Sequence, residues 1–187
     1  MVEEIAQGFY SLRKEYFATV NKNPKDLEAL SPPEKHFIED LECFDFVASG
    51  IARVIIRPIG NNDIIYKLAR SAETETIYDG REQNDYEAFL SEAIFDEFRV
   101  ENRPKLIPVL ASSESNYWLK MPNAMILSEL TLLDEEKRDI KDEVLRSLRP
   151  IIDNIMIGEV SSDNIGKHNG EYYLVDYGAD PMVAQSL

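Results

Sequence analysis

The sequence predicts an α+β fold: helices at the N-terminus, then strands paired through turn clusters with helices between them. Three observations carry this expectation. Apolar residues recur at three- and four-residue steps near the N-terminus and in two later stretches, which is the helical period. Between them, runs rich in β-branched and aromatic residues are divided by Gly, Asn and Asp clusters, as strands are. Finally, 187 residues with 44% hydrophobic and 29% charged side chains suit a folded domain or two small lobes, not a disordered tail.

From Glu3 to Val20, Ile5, Phe9, Leu12, Tyr16 and Val20 define one amphipathic helix, ended by Asn21-Lys-Asn-Pro24. Ser31-Pro-Pro-Glu34 reads as a second helix start, with an N-cap serine, prolines in the first turn and a capping-box glutamate. That helix is expected to reach about Cys43, whose apolar surroundings predict a small core residue. From Phe44 the pattern turns to β, with one strand in Phe46–Pro58 and another in Ile64–Ala69. Gly60-Asn-Asn-Asp63 joins them as a hairpin. A helix over Asn84–Phe98 presents Tyr86, Phe89, Leu90, Ala93, Ile94 and Phe98 on its apolar side. Leu106–Ala111 and Tyr117–Met121 read as two further strands, and Pro122-Asn123 marks a boundary. A helix over Glu135–Ile152 comes next, then a hairpin of Ile165–His168 and Glu171–Val175 turning at Asn169-Gly170. The expected divisions are 1–43, 44–124 and 125–187.

Twenty Lys and Arg against thirty-five Asp and Glu give a net charge of −15. Such a chain is not expected to bind nucleic acid directly or to adhere to anionic membrane, both of which need clustered basic residues. Residues 71–101 hold ten acidic and two basic side chains, more than half the excess. One cysteine forms no internal disulfide and suits a reducing compartment. With no basic leader and no apolar run of about 18 residues, the expectation is a cytoplasmic protein. Neither His36 nor His168 has zinc-site spacing; His168, beside the turn, is expected in solvent.

The chemistry is most readable at the C-terminal hairpin. Antiparallel pairing brings its two open ends together, so Asn164 and Asp176 become neighbours although twelve residues apart. An amide oxygen beside a carboxylate is hard oxygen ligation suited to Mg²⁺.

Here the residues resemble a known family. The segment from Glu159 to Gly178 is similar to the catalytic-loop and metal-loop region of the protein-kinase-like fold, where Asp-x-x-x-x-Asn precedes a hairpin and Asp-Phe-Gly. Asp176-Tyr177-Gly178 matches the last element and Asn164 the asparagine. Glu159 falls at the catalytic aspartate position. The Asn-Ile-Gly and Val-Asp-Tyr-Gly wording is closer to small atypical or phage-type kinase-like proteins, including degenerate pseudokinases, than to ordinary eukaryotic kinases. The resemblance implies a two-lobed fold with ATP and Mg²⁺ as cofactors. It assigns Lys67 to the phosphates, Glu87 (with Glu92 as runner-up) to an ion pair with Lys67, and Met121–Ala124, including Asn123, to the interlobe hinge that reads adenine. Asn164 and Asp176 take the metal, and Glu159 the general-base position.

Three departures accompany the match. Ala48-Ser-Gly50-Ile-Ala-Arg53 carries one glycine where the family has several, so that phosphates are covered loosely or Arg53 partly substitutes. Glu159 is longer by a methylene than aspartate, a displacement that impairs in-line chemistry. Nine residues after Gly178 imply a truncated large lobe, which the N-terminal helices would help to complete and which favours self-association. Beside phosphotransfer or a degenerate nucleotide-binding role stands a non-enzymatic alternative. In it, the acidic segment 71–101 or the N-terminal helices engage a protein partner, as in a viral or regulatory factor.

Overall fold

The strand Arg53–Pro58 alternates between two environments, and its register sorts both faces of the main sheet. In the computed structural model, which describes residues 1–17, 29–71, 79–152, 157 and 160–178, it is β2 of a five-stranded sheet ordered β1-β2-β3-β5-β4. The other strands are β1 (Phe44–Ser49), β3 (Ile64–Ala69), β4 (Ala111–Ser112) and β5 (Trp118–Pro122). Residues paired directly across antiparallel strands share a face, and neighbours along a strand alternate. Ala48 pairs with Ile55 and Ile55 with Lys67, so these three lie on one face. Val54, Ile56, Tyr66 and Leu68 lie on the other. The mixed α+β class is thus as expected. The chain divides into two compact units, Met1–Asp85 with Leu110–Met121 and Tyr86–Val109 with Pro122–Leu187.

In the first unit the N-terminal helices cover the second of these faces. They are α1 (Val2–Tyr10), α2 (Leu12–Phe17) and α3 (Pro32–Glu39). Ala6 and Phe9 of α1 and Ile38 of α3 join Phe44, Val54, Ile56 and Leu68 in one buried cluster. A fully buried Phe9 alone contributes about 1.5–3 kcal/mol. The N-terminal pair is therefore part of the sheet's own core. Trp118 packs against this cluster, edge-on to Tyr66 at 5.7 Å, and donates to Glu3 Oε2 at 2.7 Å. The capping box of α3 forms as expected, with Ser31 N and Oγ both 2.8 Å from Glu34 Oε2.

Several elements differ from the sequence expectation. The first helix is interrupted at Ser11, which keeps right-handed helical dihedrals, before α2 resumes at Leu12; the expected end at Val20 lies outside the described residues. The α3 helix stops at Glu39, and Cys43 is exposed instead of buried in the core. The stretch 46–58 is two strands, because Gly50–Ala52 makes a turn closed by Gly50 N to Arg53 O at 2.8 Å. The expected strand over 106–111 reduces to the two residues of β4 and a parallel bridge from Leu106 to Leu174. Pro108 lacks the N–H group a ladder needs there.

Helix α4 (Gly80–Glu97) begins in the first unit and continues into the second. Its buried positions, Asn84, Glu87, Leu90, Ser91 and Ile94, keep the helical period, but Phe89 is 62% exposed and lies outside the apolar stripe. The second unit holds α5 (Asp134–Ile152), which buries Val144, Leu148 and Ile151, and a sheet ordered β6-β7-β8. Its strands are Met125–Ile126, Ile165–His168 and Glu171–Leu174. The β7–β8 turn forms at Asn169-Gly170 with φ of 50° and 87°, the left-handed pair a two-residue hairpin requires. Among the described residues no helix is long and apolar enough to cross a membrane.

Candidate functional site

The register of the β7–β8 hairpin sets the geometry at its open end. Ile165 pairs with Leu174, and beyond that pair Val175 N donates to Asn164 O at 2.8 Å. Asn164 therefore lies across the ladder from the residue preceding Asp176, and both are half-buried. The neighbourhood expected from antiparallel pairing is present in the backbone.

The backbone immediately after Asp176 is held by a carboxylate from α4. Tyr177 N and Gly178 N donate to Glu87 Oε1 at 3.0 and 2.9 Å. Glu87 has no exposed surface, and burying a carboxylate is costly unless it receives charge-assisted hydrogen bonds such as these. The Tyr177 ring is fully buried, and its hydroxyl donates to Ile107 O at 2.9 Å. Ile107 N in turn donates to Leu174 O at 3.0 Å, tying the same segment back to the hairpin. The Asp176-Tyr177-Gly178 backbone is thus fixed from both sides. Glu92 is exposed, so of the two glutamates considered it is Glu87 that sits on the buried face.

The remaining candidates are spread over both units. Lys67 lies on β3 in the first unit, 3% exposed, on the face opposite the N-terminal helices. Met121 ends the same unit, buried on β5. Asn123 belongs to the second unit, where its carbonyl accepts from His168 Nδ1 at 2.8 Å. Asn169 Nδ2 lies 3.0 Å from His168 Nε2, which makes Nε2 the acceptor and Nδ1 the protonated nitrogen. His168 is therefore half-buried and bonded on both nitrogens, not a solvated turn residue. Glu159 lies outside the described residues.

Among the described residues no three His, Cys, Asp or Glu side chains group as a metal cage. The groups with displaced pKa lie elsewhere. Burial and then the hydrogen bond to Asp79 push the Tyr10 phenol up to about 12. At Lys105 burial is the largest influence and acts downward, but bonding to Glu143 and Glu171 outweighs it and holds the ammonium above its ordinary value. The hydrogen bond from Lys105, then its charge, lowers Glu143.

Sequence reasoning missed two buried charged residues of the first unit, Arg13 and Arg70, and the second role of Glu34. Arg70 Nε and Nη2 meet Glu34 Oε1 and Oε2, each at 2.8 Å, with all of these side chains fully buried. The capping glutamate is also an ion-pair partner, a pairing 36 residues long in sequence with no local signal.

No protein-family model matches the chain, and no curated protein matches it by sequence. Among the solved structures that resemble it are two of very different length. One is the bifunctional kinase-methyltransferase WbdD, at 16% identity and a TM-score of 0.45, over 83% of this chain and 47% of that one. The other is Cex1p, at 15% identity and a TM-score of 0.44, over 74% of this chain and 27% of that one. The chain spans less than half the length of either. With both TM-scores below 0.5, the functional reading rests on the chain's own geometry.

Proposed function

We propose that this protein is kinase-like and binds ATP with Mg²⁺, as a phosphotransferase or as a degenerate relative that retains nucleotide binding. In this reading Lys67 offers its ammonium to the nucleotide phosphates. Asp176 and Asn164 hold the divalent ion that neutralises them, and Met121 and Asn123 belong to the hinge. Glu159 takes the general-base position if transfer occurs.

The observation that carries the reading is the Glu87 carboxylate on the N–H groups of Tyr177 and Gly178. A buried carboxylate spent on the backbone next to Asp176 makes sense where that aspartate must be held in one orientation. A lysine buried on the third strand supports it, since an ammonium is seldom buried without a task.

A thermal-shift titration tests the proposal. MgATP at 100 times its dissociation constant raises stability by about 2.7 kcal/mol, and Asp176→Ala removes that rise. Absence of any shift at millimolar MgATP, with the protein folded, refutes nucleotide binding.

A further inference from the structure

The turn Gly50–Ala52 joins β1 to β2, beyond the row in which Ala48, Ile55 and Lys67 align. Every carbonyl of this turn is engaged from behind. Arg70 Nη1 donates to Gly50 O, Arg13 Nη1 donates to Ile51 O, and Arg70 N donates to Ala52 O at 2.8 Å. Neither arginine has exposed surface. Arg13 comes from α2. Arg70 lies just after β3, and its fork is aimed by Glu34 of α3, itself fixed by Ser31 N and Oγ at 2.8 Å. Arg70 Nη2 also donates to Ala29 O at 2.9 Å, so the chain leading into α3 joins the same network. Gly80 closes it from α4: a Cβ there would lie 2.0 Å from Ala52 O, a contact only glycine permits.

We infer that the N-terminal helices are a clamp that sets the conformation of the β1–β2 turn, with Arg13, Arg70 and Glu34 as positioning residues. A turn with one glycine, Gly50, is expected to gain order from such contacts, because backbone carbonyls held by buried guanidinium groups are expensive to release. Resting on the nucleotide reading above, the clamp fixes the turn that covers the phosphates of ATP. The loose cover expected from the missing glycines is replaced by a turn held from its inner side.

The test uses the full chain with Arg13→Ala and Arg13→Lys, because removing Arg70 would strand the Glu34 carboxylate. Amide exchange is measured at Gly50 and Arg70, whose N–H groups close the turn, and at Val54 and Leu68, which report the sheet. Arg13→Ala is expected to speed exchange at Gly50 and Arg70 about tenfold more than at Val54 and Leu68. Arg13→Lys, which keeps the charge but not the fork, is expected to fall between. MgATP affinity should fall about tenfold in Arg13→Ala and recover in part in Arg13→Lys. Uniform acceleration, or none, overturns the clamp. Selective acceleration with unchanged MgATP affinity overturns its positioning role. A wild-type chain that ignores MgATP removes the nucleotide reading, while selective exchange still establishes the clamp. If Arg13→Ala does not fold, Arg13→Lys carries the same comparison.

Discussion

Replacing Arg70 by Met should be among the most damaging single changes in the first unit, because of the contacts it removes. The guanidinium donates to both oxygens of Glu34 at 2.8 Å, to Ala29 O at 2.9 Å and to Gly50 O. Methionine fills much of the space but makes none of these bonds. Glu34, with no exposed surface, is left as a buried carboxylate facing only the Ser31 groups of its own cap. Breaking a buried ion pair by removing one partner costs about 3–5 kcal/mol. For a chain of this size that is a fall of about 6–20 °C in melting temperature. Urea unfolding followed by the fluorescence of Trp118, the sole tryptophan and part of the same unit, provides the measurement. The decisive variant is Arg70→Met with Glu34→Gln. Glutamine keeps an oxygen for Ser31 but carries no charge, so the double variant should recover about 1–2 kcal/mol of the loss. If the two substitutions instead add, or Arg70→Met alone costs under about 1 kcal/mol, the pair is not a buried electrostatic element.

Other outcomes rest on the same reasoning. Glu87→Ala removes the acceptor shared by Tyr177 N and Gly178 N and should cost about 1–3 kcal/mol, with faster exchange at both amides. Glu87→Gln, which keeps an oxygen, should cost less, and equal losses would show that the acceptor is not what matters. Gly80→Ala and Gly8→Ala should differ in sign. The first drives a Cβ to 2.0 Å from Ala52 O and should cost at least about 1–3 kcal/mol. The second meets only Phe37, at 3.4 Å from its Cε2, inside α1 and should gain about 0.5–1 kcal/mol; paired urea midpoints check both. Lys105→Met should cost under about 1 kcal/mol at neutral pH, because Glu143 is half-exposed and well screened. Glu143 titrates lower when folded, so its contribution is present above the ordinary carboxylate range and is lost as pH falls through the folded value. Lys105 titrates higher, so its contribution is present below the ordinary lysine range and is lost as pH rises through the folded value. The difference between variant and wild type should therefore vanish in acid, and a pH-independent difference would assign it to packing.

Local signals were readable in the sequence, and long-range ones were not. The capping box at Ser31 and Glu34 spans three residues, and the Asn169-Gly170 turn spans two, so composition alone specifies each. The placement of Lys67 on a strand after a hairpin turn is legible because the Gly60–Asp63 cluster and the apolar run after it are both local, although its being the third strand is not. The break at Gly50–Ala52 is less so, since a single glycine inside an apolar run looks like a strand interior. A pair of arginines from elsewhere in the chain secures that break. Glu87 could be chosen over Glu92 from the sequence, but not its two backbone partners, which lie about ninety residues away. Cys43 and Phe89 fail for the converse reason. Apolar neighbours in sequence say nothing about which side of an element the fold covers, and both side chains face outward.

The net charge of −15 acquires a different meaning once the interior is counted. Among the described residues of the first unit, Arg13, Arg53, Lys67 and Arg70 are buried cations, against the single buried carboxylate of Glu34. Among the described residues, the buried charged side chains of this unit are thus mostly basic, although the chain as a whole is acidic. Long-range attraction of polyanions, which depends on the outer surface and is screened within about 8–10 Å, is disfavoured. A small anion that reaches the sheet meets a different field, because a buried cation is screened far less than an exposed one. Arg13 and Arg70 direct their guanidinium groups to backbone carbonyls and to Glu34, behind the β1–β2 turn. Lys67 lies on the face that the N-terminal helices leave to other uses. Under the nucleotide binding proposed above, the acidic net charge would repel nucleic acid while buried Lys67 meets the phosphates of a small nucleotide.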